Sequence, residues 1–351
     1  MPLSVISHGV DSLYLSFRGQ LDPALLEAME RLRTEAQAQS KPAPVSFEDG
    51  RPMVVLPHGW TFYRFALHST DFDLFLAAGE HVPPVYVRLS SFVLHSAGAL
   101  AAAADVQTFV RRNVMAAAQP ATPSRVDLHA DFQGWLPEPD DLRRFVTRGV
   151  RNHLFYEPAE EAHAGLRLTG FRFGKDQLVG RLYDKTRELQ GSGKDWLLDV
   201  WGARRRGSEP VWRLEFQFRR EALAGFHLET VDELFASLQD LWRYGLEWLS
   251  LREPSFDRQR SHWRVAEEWE QLAAIEFRPQ LAGVLRRQLH DHQELLVVRA
   301  LAGCLTSYAA LRGVWDLGPA KELAARAVEA YLEQQGRSFP KVVAEKRLQL
   351  V

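Results

Sequence analysis

The sequence predicts an α+β protein built from two duplicated βαβ-type antiparallel-sheet units followed by a small helical C-terminal domain. Three observations predict it. Several short segments alternate apolar and polar residues, the strand-and-helix order of residues 1–118 starts again after residue 119, and from about Leu251 the pattern is helical to the end.

In chain order, GVDSLYLSF (9–17) alternates as a half-buried strand does. Asp22 as N-cap, Pro23 at the first helical position, and Leu25, Leu26, Met29 and Leu32 at helical spacing predict a helix. MVVL (53–56), FYRFAL (62–67), FDLFLA (72–77) and VYVRLSSFVL (85–94) read as strands, and an alanine-rich helix runs to about Asn113. AAAQPATPS (116–124) sets two prolines among small residues without periodicity and reads as a linker. Beyond it SRVDLHADF (124–132) is a strand and PEPDDLRRFV (137–146) a helix start, and GLRLTGFRF (165–173), LVGRLYDKT (178–186) and VWRLEFQF (211–218) are strands. Thr230 and Glu233 form a capping box, with Val231, Leu234, Phe235, Leu238, Leu241 and Trp242 along one face of the helix that follows.

The two halves also share wording. GVDSLYLSF with LDPALL parallels SRVDLHADF with PEPDDL, and PVYVRLSS (84–91) parallels PVWRLEFQ (210–217), as a repeated supersecondary unit would. The expected division is an N-terminal non-catalytic α+β copy at 1–118, a catalytic α+β copy at 119–250 and a helical domain at 251–351, with helices near 262–275, 279–290, 293–312 and 319–335. Where the second copy has Asp131, Tyr183 and Glu215 the first has mostly apolar or neutral residues. The chemistry is therefore expected in the second copy, with the first as a scaffold or DNA-binding partner. His290, Asp291 and His292 diverge by 100° per residue on a helix and read as a solvated helix end.

With 43 Lys and Arg against 45 Asp and Glu, the net charge of −2 excludes a chain that coats nucleic acid by bulk positive charge, so any such contact must be local. Cys304 has no partner for a disulfide, no charged-then-apolar signal opens the chain, and no apolar run approaches the ~18 residues of a membrane helix. A cytoplasmic protein without a membrane partner is expected. The local basic feature is GARRRGSEP (202–210), which with SGKDW (192–196) interrupts two strands. Its Arg204, Arg205 and Arg206 would suit a phosphate backbone, although such a loop is more commonly only solvated.

Side-chain alternation brings chemistry together. Asp127, His129 and Asp131 share one face of their strand, Arg213, Glu215 and Gln217 share one face of theirs, and Arg181, Tyr183 and Lys185 are co-facial opposite Leu182 and Asp184. Alone, an Asp-x-His-x-Asp strand is usually wet surface, a strand tyrosine usually packing, and Glu215 beside Arg213 or Arg219 a surface ion pair. Together they are what metal-assisted attack on a phosphodiester needs. Carboxylates, with an imidazole, suit Mg²⁺ or Mn²⁺, and tyrosine supplies the nucleophile. A free phenol of pKa ~10 is mostly protonated at neutral pH, so Arg181, Lys185 and the ion are expected to lower it. Glu188 is a secondary candidate, brought to the tyrosine if the strand turns at Thr186.

The motifs VDLHADF (126–132), GRLYDKTREL (180–189), WRLEFQFRREAL (212–223) and RQRSHWRVAEEWEQL (258–272) resemble those of the plasmid rolling-circle replication initiation factors of the Rep_trans type and related relaxases of integrative conjugative elements. The resemblance spans about Val126 to Leu272 and implies a Rep nuclease-like fold and an origin-nicking endonuclease and strand transferase. It implies Tyr183 as the nucleophile that keeps a 5′-phosphate and frees a 3′-hydroxyl primer, with Asp127, Asp131 and Glu215 as metal ligands. Arg181, Lys185 and Arg213 become phosphate contacts, and Arg258 and Arg260 DNA-binding residues. His129 departs from the pattern, which has a small or apolar residue there, and stands as a further ligand candidate. The implied partners are single-stranded or hairpin origin DNA, a second copy of the chain, and a host helicase and polymerase. Rival readings are a conjugative relaxase, a non-enzymatic nucleic-acid-binding protein in which Tyr183 stacks on a base, and a structural partner-binding protein.

Overall fold

The structure is a computed structural model that describes residues 3–77, 79, 81–149, 152–158, 166–277 and 301–343. Its strands are β1 (Ser4–Phe17), β2 (Gly19–Leu21), β3 (Ala43–Ser46), β4 (Pro52–Val55), β5 (Phe65–His68), β6 (Phe72–Leu76), β7 (Val85–Leu89), β8 (Met115–Ala118), β9 (Thr122–Gln133), β10 (Phe145–Thr147), β11 (Asn152–Pro158), β12 (Leu166–Phe173), β13 (Leu178–Asp184), β14 (Trp212–Arg219) and β15 (Leu249–Leu251). The helices used below are α1 (Pro23–Gln39), α2 (Ser91–Ser96), α3 (Ala99–Asn113), α4 (Lys185–Ser192), α5 (Trp196–Trp201), α6 (Arg220–Gly225), α7 (Val231–Ala236), α8 (Leu238–Trp248) and α9 (Glu267–Ala273).

Eleven strands form one antiparallel sheet in the order β11-β12-β13-β14-β9-β1-β7-β6-β5-β4-β3. The sheet is organised around the long β1–β9 pair, which runs from Ser4 opposite Gln133 to Ser16 opposite Thr122. Strands of the first half fan out from β1, and strands of the second half from β9. One face is a continuous apolar layer. Leu13, Leu15 and Phe17 of β1, Val126, Leu128, Ala130 and Phe132 of β9 and Leu214, Phe216 and Phe218 of β14 are buried there. Helices α1 and α3 cover this layer in the first half, through Met29, Val106 and Phe109, and α7, α8 and α9 cover it in the second, through Phe235, Trp242 and Trp269. The opposite, open face carries the polar residues of the same strands.

Helix boundaries follow local chemistry. The Asp22 side chain accepts from the Ala24 amide at the start of α1, and Pro23 follows it. Thr230 and Glu233 close the capping box of α7 in both directions. The structure differs from expectation at several places. The strand expected over 85–94 stops at Leu89, because Ser90 accepts from the Val93 amide and starts α2. The helix expected from 137 is a single 3₁₀ segment, Pro139–Arg143, cut short by β10, which pairs with β15. The expected linker is largely sheet, since β8 pairs with β2 and β9 starts at Thr122. Of FYRFAL only Phe65 onward is strand, after a tight Trp60–Tyr63 bridge.

Among the residues after 300, 301–312 and Leu317–Gln334 are helical. The segment expected at 279–290, the first part of 293–312 and the His290–Asp291–His292 run lie outside the described residues. No described helix is long and apolar enough to cross a membrane.

Gly245 gives the packing of α8 a direct test. A Cβ built there would lie 2.6 Å from the Phe216 ring. Alanine in place of glycine favours a helix by ~1 kcal/mol, but forced overpacking costs ~1–3 kcal/mol. Gly245→Ala is therefore expected to lower the thermal unfolding midpoint despite its better helix propensity, as measured by calorimetry.

Candidate active site

On the open face, strand register sets out the polar residues as a grid. Arg213 of β14 lies opposite Asp131 of β9 and Tyr183 of β13, Glu215 opposite His129 and Arg181, and Gln217 opposite Asp127. The faces shared by Asp127, His129 and Asp131 and by Arg213, Glu215 and Gln217 thus meet side by side. Across the β1 junction Ser7 pairs with Asp131, Gly9 with His129 and Ser12 with Asp127, with a register shift between Val10 and Ser12. The residue left over in that bulge is Asp11, in line with the tendency of bulges to re-aim side chains beside functional sites.

Arg213 is the centre of the grid. Fully buried, it donates from Nε to Asp131 Oδ1 at 2.6 Å, from Nη2 to Asp131 Oδ2 at 2.9 Å and from Nη1 to Asp11 Oδ1 at 2.6 Å. Trp201 of α5 donates its indole N–H to Asp131 Oδ2 at 2.8 Å. Burial alone would raise both carboxyls, but the guanidinium holds Asp11 well below the usual carboxylate range and Asp131 below it.

Beside this network lies a second group. His95 of α2, His129 of β9 and Asp11 each present a ligand-type atom, and these atoms lie within 4.8 Å of one another. All three residues are buried. Among the described residues, His95 Nε2 and both ring nitrogens of His129 have no hydrogen-bond partner, with His95 Nε2 3.5 Å from Asp11 Oδ1. Burial, and then Arg213, hold His129 well below the usual imidazole range, so it is neutral and has a lone pair to offer. Asp11 and His95, both from the first half, were not found by the sequence reading. A bulge residue, and a histidine just beyond the strand expected at 85–94 that turns out to sit in helix α2, have no periodic signature.

Tyr183 donates its hydroxyl to Glu215 Oε2 at 3.1 Å. The other oxygen of Glu215 accepts from Arg181, whose Nη2 also donates to Gln217 at 2.7 Å. Burial, and then the Glu215 charge, push the phenol well above its usual pKa against the pull of Arg213, the opposite of the lowering expected from the sequence. Tyr183 is half-buried and lines an open cavity of about 820 Å³ with Phe155, Tyr156, Arg172, Arg181 and Glu188. Gly170 of β12 faces it across the ladder, where a Cβ would come within 2.8 Å of Tyr183 Cβ and of the Leu182 carbonyl.

The remaining candidates divide. Lys185 is not the next strand residue, because the Asp184 side chain accepts from the Arg187 amide and caps α4 there. It is nonetheless buried with Nζ 5.5 Å from the Tyr183 ring centroid and 2.6 Å from Glu188, which the turn brings in. Asp127 is engaged by Arg125. Arg204 and Arg206 are exposed and Arg205 half-buried, in a loop tied to β9 by the bond from the Arg206 amide to Gln133. Arg258 and Arg260 are exposed, and Arg260 donates to the Arg143 carbonyl in the layer that covers the apolar face, away from Tyr183. Arg213, expected as a phosphate contact, is instead enclosed by its two aspartates.

Removing Arg213 leaves two buried carboxylates without a counter-charge, a loss of ~3–5 kcal/mol. In the wild type both acids have depressed pKa values, so the stability they confer is present above the unfolded value of ~3.9 and is lost as pH falls through the folded values. In Arg213→Met the unpaired acids take up protons sooner. The variant is expected to unfold at a much lower temperature near neutral pH, with the deficit narrowing toward pH ~4, as followed by circular dichroism.

No protein-family model matches the sequence, and no curated protein does. Among solved structures, the chain is similar to a rolling circle replication initiator protein from Geobacillus stearothermophilus, with a TM-score of 0.50 and 14% identity, over 80% of this chain and 100% of that one. That protein is of the kind the motifs around Tyr183 resemble. At this identity the likeness is one of fold: the mixed helix and antiparallel sheet described above is similar to the fold of that rolling circle replication initiator protein.

Proposed function

We propose that the protein initiates rolling-circle replication by nicking single-stranded or hairpin origin DNA with Tyr183. The observation that carries the reading is the Tyr183–Glu215 hydrogen bond, set at the mouth of an open cavity and on the same sheet face as a buried Asp/His/His group. In the nicking step the Tyr183 oxygen attacks the scissile phosphorus and the bond from phosphorus to the 3′ oxygen breaks. Glu215 takes the phenol proton, which offsets the raised pKa of the tyrosine. Lys185, held below the usual lysine range by burial and Arg213, returns a proton to the departing 3′ oxygen. Arg181 faces the negative charge on the phosphoryl oxygens. The phosphotyrosine keeps the 5′ end, and the reverse attack by a 3′-hydroxyl rejoins strands.

Asp11, His95 and His129 fit a divalent ion, because they combine a carboxylate with two buried imidazoles, of which His95 Nε2 and both nitrogens of His129 have no hydrogen-bond partner among the described residues. Their nitrogen content favours Mn²⁺ over Mg²⁺. When bound, such an ion supplies Lewis-acid stabilisation of phosphate charge. Of the ligands expected from the sequence, His129 belongs to this group, while Asp127, Asp131 and Glu215 serve Arg125, Arg213 and the Arg181–Tyr183 pair.

We read the chain as a duplicated unit, 1–118 and 119–250, followed by a helical domain at 251–351, and the arrangement of strands outward from β1 and β9 supports this. A second copy of the chain would supply the second nucleophile that ends a replication cycle, and a host helicase and polymerase would extend the primer. Conjugative relaxation uses the same chemistry at a different origin. The raised phenol pKa favours a second reading, a non-enzymatic nucleic-acid-binding protein in which Tyr183 stacks on a base.

The deciding experiment incubates the chain with labelled single-stranded origin DNA and Mn²⁺. A covalent adduct that survives denaturing electrophoresis, disappears with chelator and is absent in Tyr183→Phe is expected; DNA binding without any adduct in the wild type favours the second reading. Gly170→Ala, which pushes on Tyr183, is expected to slow adduct formation by about 10²-fold, measured by single-turnover kinetics. His129→Leu is expected to abolish the heat of Mn²⁺ binding in calorimetry without DNA, and unchanged binding would remove the ion from this group.

A further inference from the structure

The open face of the first half carries a feature that the nicking site does not use. Tyr14 of β1 lies opposite Arg88 of β7 on one side and Arg125 of β9 on the other, and Ser16 lies opposite Tyr86. Their neighbours Leu13, Leu15, Val85 and Val87 already fill the core on the far face. Trp60, 38% exposed, lies over this row, 5.8 Å from Tyr86 with nearly parallel rings and 4.6 Å from Phe75. The Arg88 guanidinium sits among the rings, 5.3 Å from Tyr14 and 5.6 Å from Trp60, and its buried Nε has no hydrogen-bond partner among the described residues. Together they line a groove of about 890 Å³ whose walls also hold Arg18, Arg125, Arg219 and Arg220.

Charge in the groove is one-sided. Arg125 is matched by Asp127 and Arg220 by Glu229, whereas Arg18, Arg88 and Arg219 have no carboxylate partner among the described residues. Glu221 is the remaining acid of the lining. Half-exposed flat rings interleaved with unmatched guanidinium groups fit a polyanion whose units are themselves flat rings. In a duplex those rings are stacked on each other and hidden, so the fitting form is single-stranded.

We propose that this groove binds single-stranded DNA, with bases stacked on Trp60 and Tyr86 and phosphates on Arg18, Arg88 and Arg219. The assignment of DNA as the occupant rests on the nicking function proposed above. Strand spacing of ~4.8 Å and a rise of ~3.3 Å per residue put Tyr14 about 25 Å from Tyr183 across the same face. Arg125, which lines the groove, and Arg219, its partner in register, lie on the strands that carry His129 and Glu215. The groove therefore holds DNA several nucleotides away from the scissile phosphate, and the first half contributes a strand-binding track.

The test measures fluorescence anisotropy of a labelled single-stranded oligonucleotide with the full chain in chelator, where no cleavage is expected, for the wild type, Trp60→Ala and Arg88→Gln. Each variant is expected to bind about tenfold more weakly, the size of one lost base stack, with its thermal midpoint kept. Bromouracil-substituted DNA is expected to cross-link to the peptides around residues 60 and 86. Unchanged affinity in both variants, cross-links confined to other peptides, or a loss confined to duplex DNA overturns the proposal. The Mn²⁺ adduct assay on the wild type reads the nicking function separately, so weak groove variants beside an adduct-free wild type would sink that function and leave the groove standing.

Discussion

The buried guanidinium of Arg213 is the interaction on which the rest of the site depends. It binds one oxygen pair of Asp131 on the adjacent strand and reaches Asp11 across β9, so one cation fixes β14, β9 and β1 to each other. An unpaired charge in that position would cost several kcal/mol, which makes the register of three strands and the bulge at Asp11 a single cooperative choice. Because Asp131 is held by Arg213 and Trp201, the short α4–α5 excursion is also pinned to the sheet.

Once that lock is set, neighbouring groups acquire their properties. Asp11 is turned toward His95 and His129, whose Nε2 and both ring nitrogens, respectively, have no hydrogen-bond partner among the described residues. Burial, and then the positive charge at Arg213, keep His129 neutral, and the same charge opposes the upward push of burial and Glu215 on Tyr183. Tyr183 itself stands where it does because Gly170 leaves room across the ladder. Both halves thus contribute side chains to this face of the sheet. The first half donates Asp11 and His95 to the buried group and presents an aromatic face beside it.

Alternating patterns are legible because a strand exposes every second residue to one face whatever its neighbours. That rule was enough to put Asp127, His129 and Asp131 together and Arg213 with Glu215, and to expect Tyr183 and Arg181 near them, as the register bears out. It failed where a hydroxyl competed with the strand. Ser90 and Asp184 each capped a helix, which ended the strand expected at 85–94 early, placed His95 on α2 and moved Lys185 out of its strand. It also failed to distinguish a carboxylate free to bind an ion from one held by a guanidinium.

By itself the sequence determined an antiparallel α+β protein, the polar faces of the strands in its second half and the place of Tyr183 among them, because these follow from the period of two and from local capping. Which strands became neighbours, and so which acid met which base, was decided only by tertiary structure. The reason is that pairing β1 with β9 is a contact between residues more than a hundred positions apart. No local pattern encodes a partner at that distance, and the charge balance at Arg213 exists only after the pairing has formed.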